Sequence, residues 1–158
     1  MQTVTMRQSW WIYGMCALAV LAVASMGGLF RPDAWFVALK KPVWNPPSWI
    51  FGPVWTTLYV MIAIAGGRVF SAAGDRTAPR RFWIVQLVLN GLWSLLFFGL
   101  HRIDLALIDI VGMVTAIAGF VGVTWKKDRI AAWLFLPYLA WVSFATVLNA
   151  TLLVLNRG

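Results

Sequence analysis

Five uncharged, apolar stretches divide this chain, and the charged residues are confined to the short segments between them. The stretches run from Gln8 to Phe30, Pro42 to Gly67, Phe82 to Leu100, Ile110 to Trp125 and Ile130 to Asn156. Each can hold a spanning helix, which needs roughly 20 residues at 1.5 Å rise to cross a hydrocarbon core about 30 Å thick. In lipid no water is present to pair with a bare amide, so every backbone group must bond within its own segment, and helices do this. The expected fold is an all-α membrane protein, a bundle of five transmembrane helices forming one domain over residues 1–158. Spans are expected at about 9–30, 47–68, 82–100, 105–125 and 130–156, with the loop 31–46 capping a pocket. The fourth stretch reaches full length only if its helix starts near Asp104 and takes Asp109 inside.

Composition agrees with this reading. Apolar residues make up 61% and charged residues 11% of the chain, against about 25% charged in soluble domains. A net charge of +8 would suggest nucleic acid in a soluble protein. Here the basic residues sit between apolar runs, at the level of lipid headgroups, and form no continuous basic face. Membrane lipid is the expected partner and nucleic acid is not. The lone Cys16 excludes an intramolecular disulfide, and with His101 as the sole histidine no His/Cys cluster for zinc, iron–sulfur or bis-His haem can form. No metal site is expected.

Arg7, Arg68, Arg76, Arg80, Arg81, Lys126, Lys127 and Arg129 fall on one side of the five-span topology. Arg31, Lys40, Lys41, Arg102 and Arg157 fall on the other. Positive-inside bias then places the N-terminus in the cytoplasm. The first run contains Ala22-Val23-Ala24, which a signal peptidase could accept. It continues uncharged to Phe30, longer than a usual signal core, so a retained helix is expected.

Between the first two spans, Pro42, Pro46 and Pro47 forbid a regular helix and stiffen the segment. Pro53 suits the early turns of the next helix. Trp44, Trp49 and Trp55 fit either an interfacial belt or the lining of a pocket. In the third span Gln86, Asn90, Trp93 and Phe97 share one helical face. That face should point inward, because an unpaired amide in hydrocarbon costs several kcal/mol. Asn90 can serve interhelical bonding or ligand contact. In the fifth span Tyr138, Trp141, Ala145 and Leu148 share a face beside Asn149, and Pro137 is expected to kink the helix. Indoles, a phenol and amides together suit a mostly apolar pocket for a flat aromatic ligand, although packing alone can use the same rings. Asp109 is expected to bond a neighbouring helix end, and His101 to lie at the interface. No catalytic dyad, triad or phosphate loop is present, so no catalytic residue is assigned. Small residues at four-residue spacing, Gly112 with Ala116 and Ala118 with Gly122, would allow close helix approach in a homodimer or within one protomer.

At these residues the chain resembles the TspO/MBR family, the tryptophan-rich sensory proteins related to the mitochondrial translocator protein. The block from Trp35 to Tyr59 reads W-x-x-x-L-x-K-P-x-W-x-P-P-x-W-x-x-G-P-V-W-x-x-L-Y. Further blocks are Gln86-x-x-x-Asn90-x-x-Trp93, Phe97-Phe98-Gly99, Ala106-Leu107-x-x-Asp109, Pro137-Tyr138-Leu139-Ala140-Trp141 and Phe144-Ala145-Thr146-x-Leu148-Asn149. The resemblance implies a five-helix protomer, often a homodimer in a bacterial cell envelope membrane, that binds protoporphyrin IX, haem or other flat aromatic molecules and needs no cofactor. The matching pocket positions are Trp93, Trp141, Ala145 and Leu148, with Asn90, Trp44 and Asn45 as neighbours. Two departures from the family pattern follow. Phe36 stands where many members have Tyr, so chemistry by that phenol is absent. Ala150 and Val154 stand where the animal cholesterol motif needs Tyr and Arg, which removes support for steroid handling. A tetrapyrrole sensor, scavenger or carrier is the first expectation. A porphyrin-degrading enzyme and a regulatory partner of another membrane complex remain alternatives.

Overall fold

The computed structural model describes residues 6–157, with side chains from Ser9 onward. Arg7, which contributes to the charge bias, lies outside the described side chains. In chain order the elements are α1 (Met6–Leu29), α2 (Ala34–Ala38), α3 (Ser48–Ser71), α4 (Thr77–Ser94) with a π-helical turn at Leu95–Gly99, α5 (Ile103–Thr124) and α6 (Arg129–Leu155). All but α2 are long and apolar enough to cross a membrane, at roughly 32 to 40 Å by their residue counts. The chain is therefore an all-helical, multi-pass membrane protein.

The helices close a ring. α1 packs on α3 and α4, α3 on α6, α6 on α5, and α5 on α4. In this order α4 and α6 are not neighbours and face each other across the interior. Ile62, Ala65, Ile117, Phe120, Phe135 and Tyr138 are fully buried at its centre, whereas Leu18, Leu21, Val60, Val88, Ile108, Val147 and Val154 point outward. Lipid tails are as apolar as these side chains, so the outward face costs nothing and helix association depends on shape. Glycine supplies part of that shape. A Cβ at Gly67 would lie 2.1 Å from the Tyr13 ring, and one at Gly119 would lie 2.4 Å from the Phe82 ring. Of the small residues considered for a dimer, Ala116 is buried within the protomer and Gly112 faces Leu89 of α4. Ala118 and Gly122 remain on the outer face of α5.

The helix ends are tied by charged groups. Asp128 accepts from Ala131 N–H at 3.1 Å to cap α6, and it holds the Arg68 guanidinium of α3 through Nε and Nη2 at 3.0–3.1 Å. Burial raises the Asp128 carboxyl, but the Arg68 and Ala131 bonds outweigh it and leave the group below its ordinary value. The prolines exclude helix from 42–47, yet α2 forms just before them, an element the proline pattern did not suggest. Asp33 caps it by accepting from Phe36 N–H at 3.1 Å. Lys41 Nζ closes its other end on the carbonyls of Phe36, Val37 and Leu39. Asn156 then ties this segment to the end of α6, accepting from Lys40 N–H and donating to Lys40 C=O, each at 3.0 Å.

Candidate ligand-binding site

The interior beneath the Pro/Trp segment is divided rather than open. One cavity of about 40 Å³ is lined by Tyr59, Asn90, Trp93, Met113 and Ala145 among others. A second, of about 50 Å³, lies between Phe36, Asn45, Phe97, Leu148 and Asn149. Trp93 and Ala145 line both and so form the partition. Trp93 is fixed in place: its Nε1–H donates to Asn149 Oδ1 at 3.1 Å, and its ring stacks on Phe97 with centroids 4.9 Å apart. Asn149 in turn donates to Ile103 C=O at 3.0 Å, tying α4, α5 and α6 together at one point.

Asn90 is equally committed. It accepts from Tyr59 OH at 3.2 Å and donates to Tyr138 OH at 2.8 Å. Both amide atoms are thus bonded between helices, which leaves one N–H and one Oδ1 lone pair of Asn90 uncommitted. Gln86 donates only to Trp83 C=O in its own helix, and its Oε1 is buried without a partner.

The larger space lies to the side. A groove of about 580 Å³ runs between α3 and α6, with Pro53, Thr57, Met61, Pro137, Trp141 and Phe144 among its walls. Pro137 lies on this groove while α6 continues unbroken past it. Trp141 packs against Phe51 at 5.7 Å and Phe144 at 5.6 Å, and Trp44 meets Phe144 at 5.9 Å at the rim. The Trp141 indole N–H is buried and has no acceptor among the described residues. Trp141, Ala145 and Leu148 therefore form one strip of α6 that leads from the lateral groove past the partition to the inner cavities.

The seven site residues named from the sequence consequently divide. Trp141 faces the groove, Asn90 and Asn45 each line one inner cavity, Leu148 lines the inner cavity beside Asn149, and Trp93 and Ala145 stand between the two cavities. Trp44 is half exposed at the rim. Phe51, Tyr59 and Phe144 were not singled out; Tyr59 and Phe144 are specified in the quoted motif blocks and Phe51 falls at an unspecified position, and only the ring packing shows where they lie.

Two expectations about polar residues meet different outcomes. Asp109 is 7% exposed, and neither carboxylate oxygen has a hydrogen-bond partner. It does not bond a helix end, because at its register on α5 it lines an apolar groove against α4 with Leu89, Leu92, Leu96 and Ile108. His101 lies at the end of α4 in the left-handed region, with φ of 54°. This conformation is uncommon for a non-glycine residue. Its Nε2 is 3.1 Å from Asp33 Oδ2 and its ring stacks on Trp35 at 4.2 Å. The bond from Phe36 N–H, joined by the His101 contact, holds the Asp33 carboxyl below its ordinary value. His101 thus locks α2 to the end of α4, away from the groove.

A family model described as the TspO/MBR family matches residues 16–155. The chain is 37% identical over 151 residues to a tryptophan-rich sensory protein of Cereibacter sphaeroides, covering 96% of this chain and 95% of the relative. It is 33% identical over 150 residues to protein CrtK of Rhodobacter capsulatus, covering 93% and 94%. A translocator protein of Homo sapiens is 37% identical over 129 residues, covering 78% of this chain and 76% of the human one.

Proposed function

Because this chain belongs to the TspO/MBR family, we propose that it binds a tetrapyrrole such as protoporphyrin IX or haem, as a sensor, scavenger or carrier, in the lateral groove between α3 and α6. The observation that carries this reading is a difference in size. Sites for drug-sized molecules measure roughly 300 to 1,000 Å³, which matches the groove at about 580 Å³ and excludes inner cavities of about 40 and 50 Å³. The macrocycle stacks on Trp141 and Phe144, and a small turn of the indole brings its buried N–H to an acceptor on the rim. Trp44 and the Pro/Trp segment cover its outer edge. Trp93, Ala145 and Leu148 form the wall behind, with Asn90 and Asn45 beyond. No axial metal ligand is required: His101 is held by Asp33 and Trp35, and Cys16 lies on α1 against α4 and the end of α3. Metal-free porphyrin and haem should therefore bind about equally.

The protein is further proposed to pair as a homodimer, to reside in a bacterial envelope membrane, and to keep its N-terminus in the cytoplasm. The exposed small residues Ala118 and Gly122 on α5 support pairing, and light scattering that shows only one protein per micelle would refute it. The functional test is titration of the purified protein with protoporphyrin IX, in darkness and under illumination, with analysis of products. Saturable binding with the porphyrin recovered intact in both conditions supports a binding role. Light-dependent conversion of bound porphyrin would make the protein an enzyme, and absence of saturable binding would refute the reading altogether.

A further inference from the structure

A second groove, of about 400 Å³, lies where α1, the end of α3 and α4 meet. Ile12, Cys16 and Ala19 of α1, Phe70 of α3 and Trp83 of α4 give it apolar walls, and Arg80 of α4 is its one charged lining residue. We propose that this groove seats one anionic phospholipid, with an acyl chain along α1 and the headgroup phosphate on Arg80.

Arg80 is fixed in position for this. Its Nε donates to Val69 C=O at 3.2 Å, and its Nη2 donates to the carbonyls of Phe70 and Ala72 at 3.3 Å. Its guanidinium also lies 5.7 Å from the Phe70 ring centroid. These bonds use Nε and Nη2 only, so among the described residues Nη1 has no protein acceptor and keeps both of its N–H groups. Among the described residues no carboxylate forms a direct ion pair with Arg80: the ion pairs are Arg68–Asp128, His101–Asp33 and Arg102–Asp104, and Asp75 reaches Arg80 only through its longer-range charge. The neighbouring Asp75 accepts from Thr77 N–H at 2.9 Å instead. Arg76, one turn before Arg80, has a buried Nη1 without a partner.

Charge decides which lipid is held. An acyl chain gains little by leaving other acyl chains for apolar side chains, so the walls hold a tail without selecting one. Selection falls to the headgroup. The end of the bundle that carries Arg80 also carries Arg68, Arg76, Arg81, Lys126, Lys127 and Arg129, against Asp75 and Asp128. A zwitterionic headgroup brings its own cation into that field and a net-anionic one does not. One basic residue near a membrane surface favours an anionic lipid by about five-fold.

The test uses the full chain in nanodiscs and in a neutral detergent, with phosphatidylglycerol and phosphatidylcholine as probes. Native mass spectrometry and the melting temperature serve as readouts. One retained phosphatidylglycerol per protomer, with a higher melting temperature, is expected, and phosphatidylcholine should be retained less. Arg80→Gln should weaken phosphatidylglycerol retention by about five-fold, while Arg81→Gln, which removes the same charge from an exposed site outside the groove and touches only the general field, should weaken it less. Because Arg80 also caps α3, Ala19→Trp provides a separate arm that fills the groove and keeps every charge; it should abolish the adduct. Equal losses for Arg80→Gln and Arg81→Gln, equal retention of the two lipids, or an unchanged adduct in Ala19→Trp would each overturn the proposal. Glycerol 3-phosphate should give no shift, and a shift equal to that of the lipid would also overturn it.

Discussion

Trp141 offers the sharpest test of the lateral site, because the ring and the N–H of its indole can be removed separately. Among the described residues the N–H is buried without an acceptor, and the ring rests on Phe51 and Phe144. Trp141→Phe deletes the donor and keeps a ring. Removing an unsatisfied buried donor costs the fold nothing in hydrogen bonding and is nearly neutral or stabilising. In the complex the same change loses one hydrogen bond, about 0.5–1.5 kcal/mol, or about 2- to 13-fold in Kd. Trp141→Ala also removes the stack, worth about 0.5–1.5 kcal/mol more, which brings the expected loss to about 5- to 160-fold. Area burial adds little, since the groove faces lipid as apolar as the ring. Porphyrin absorbance titrations in darkness give the affinities, and thermal melting of each variant in the same detergent separates binding from folding. Trp141→Phe should melt at or above the wild-type temperature and bind more weakly. A wild-type Kd for a well-folded Trp141→Ala would refute the placement of the ligand. Trp93→Ala is a poorer probe, because it also strands Asn149 Oδ1 and removes the partition.

Three further outcomes are expected. Gly119→Ala should destabilise the α4–α5 seam by about 1–3 kcal/mol, read as a lower melting temperature, because its Cβ would meet the Phe82 ring at 2.4 Å; an unchanged melt would show that the ring moves aside freely. The Asp128 carboxyl lies below its ordinary value in the fold, so its contribution is present above its unfolded pKa of about 3.9 and is lost as pH falls through the lower folded value. The melting difference between wild type and Asp128→Asn should therefore persist at neutral pH and vanish in acid, and a difference that grew below about pH 4 would contradict this. Ser48 begins α3, and Thr77 begins α4 just beyond the other end of α3. Single cysteines there should label from opposite sides of the membrane, with Thr77→Cys accessible from the cytoplasm, and labelling from one side would refute the topology.

The sequence by itself determined the number of spans, their helical form and the inward faces of α4 and α6. Each is a local property: a run of apolar residues must bond its own backbone in lipid, and helical periodicity fixes which side chains share a face. Gln86, Asn90 and Phe97, and likewise Tyr138 and Leu148, are buried as that periodicity requires. The existence of α2 was less legible, because its ends depend on Asp33, Lys41 and the remote Asn156. The layout of the site was decided only by tertiary structure. The sequence grouped Trp93 and Trp141 in one pocket, but ring closure brings α3 against α6, so Trp141 faces a lateral groove while Trp93 divides the interior. Asn90 lines a cavity, and only the approach of Tyr59 and Tyr138 shows which helices it also bonds. The same closure left Asp109 without a donor. Helices in lipid have no general hydrophobic force to pair them, so which faces meet depends on the fit of glycines such as Gly67 and Gly119 against Tyr13 and Phe82. That fit is a property of pairs of distant residues, and no single stretch of sequence contains it.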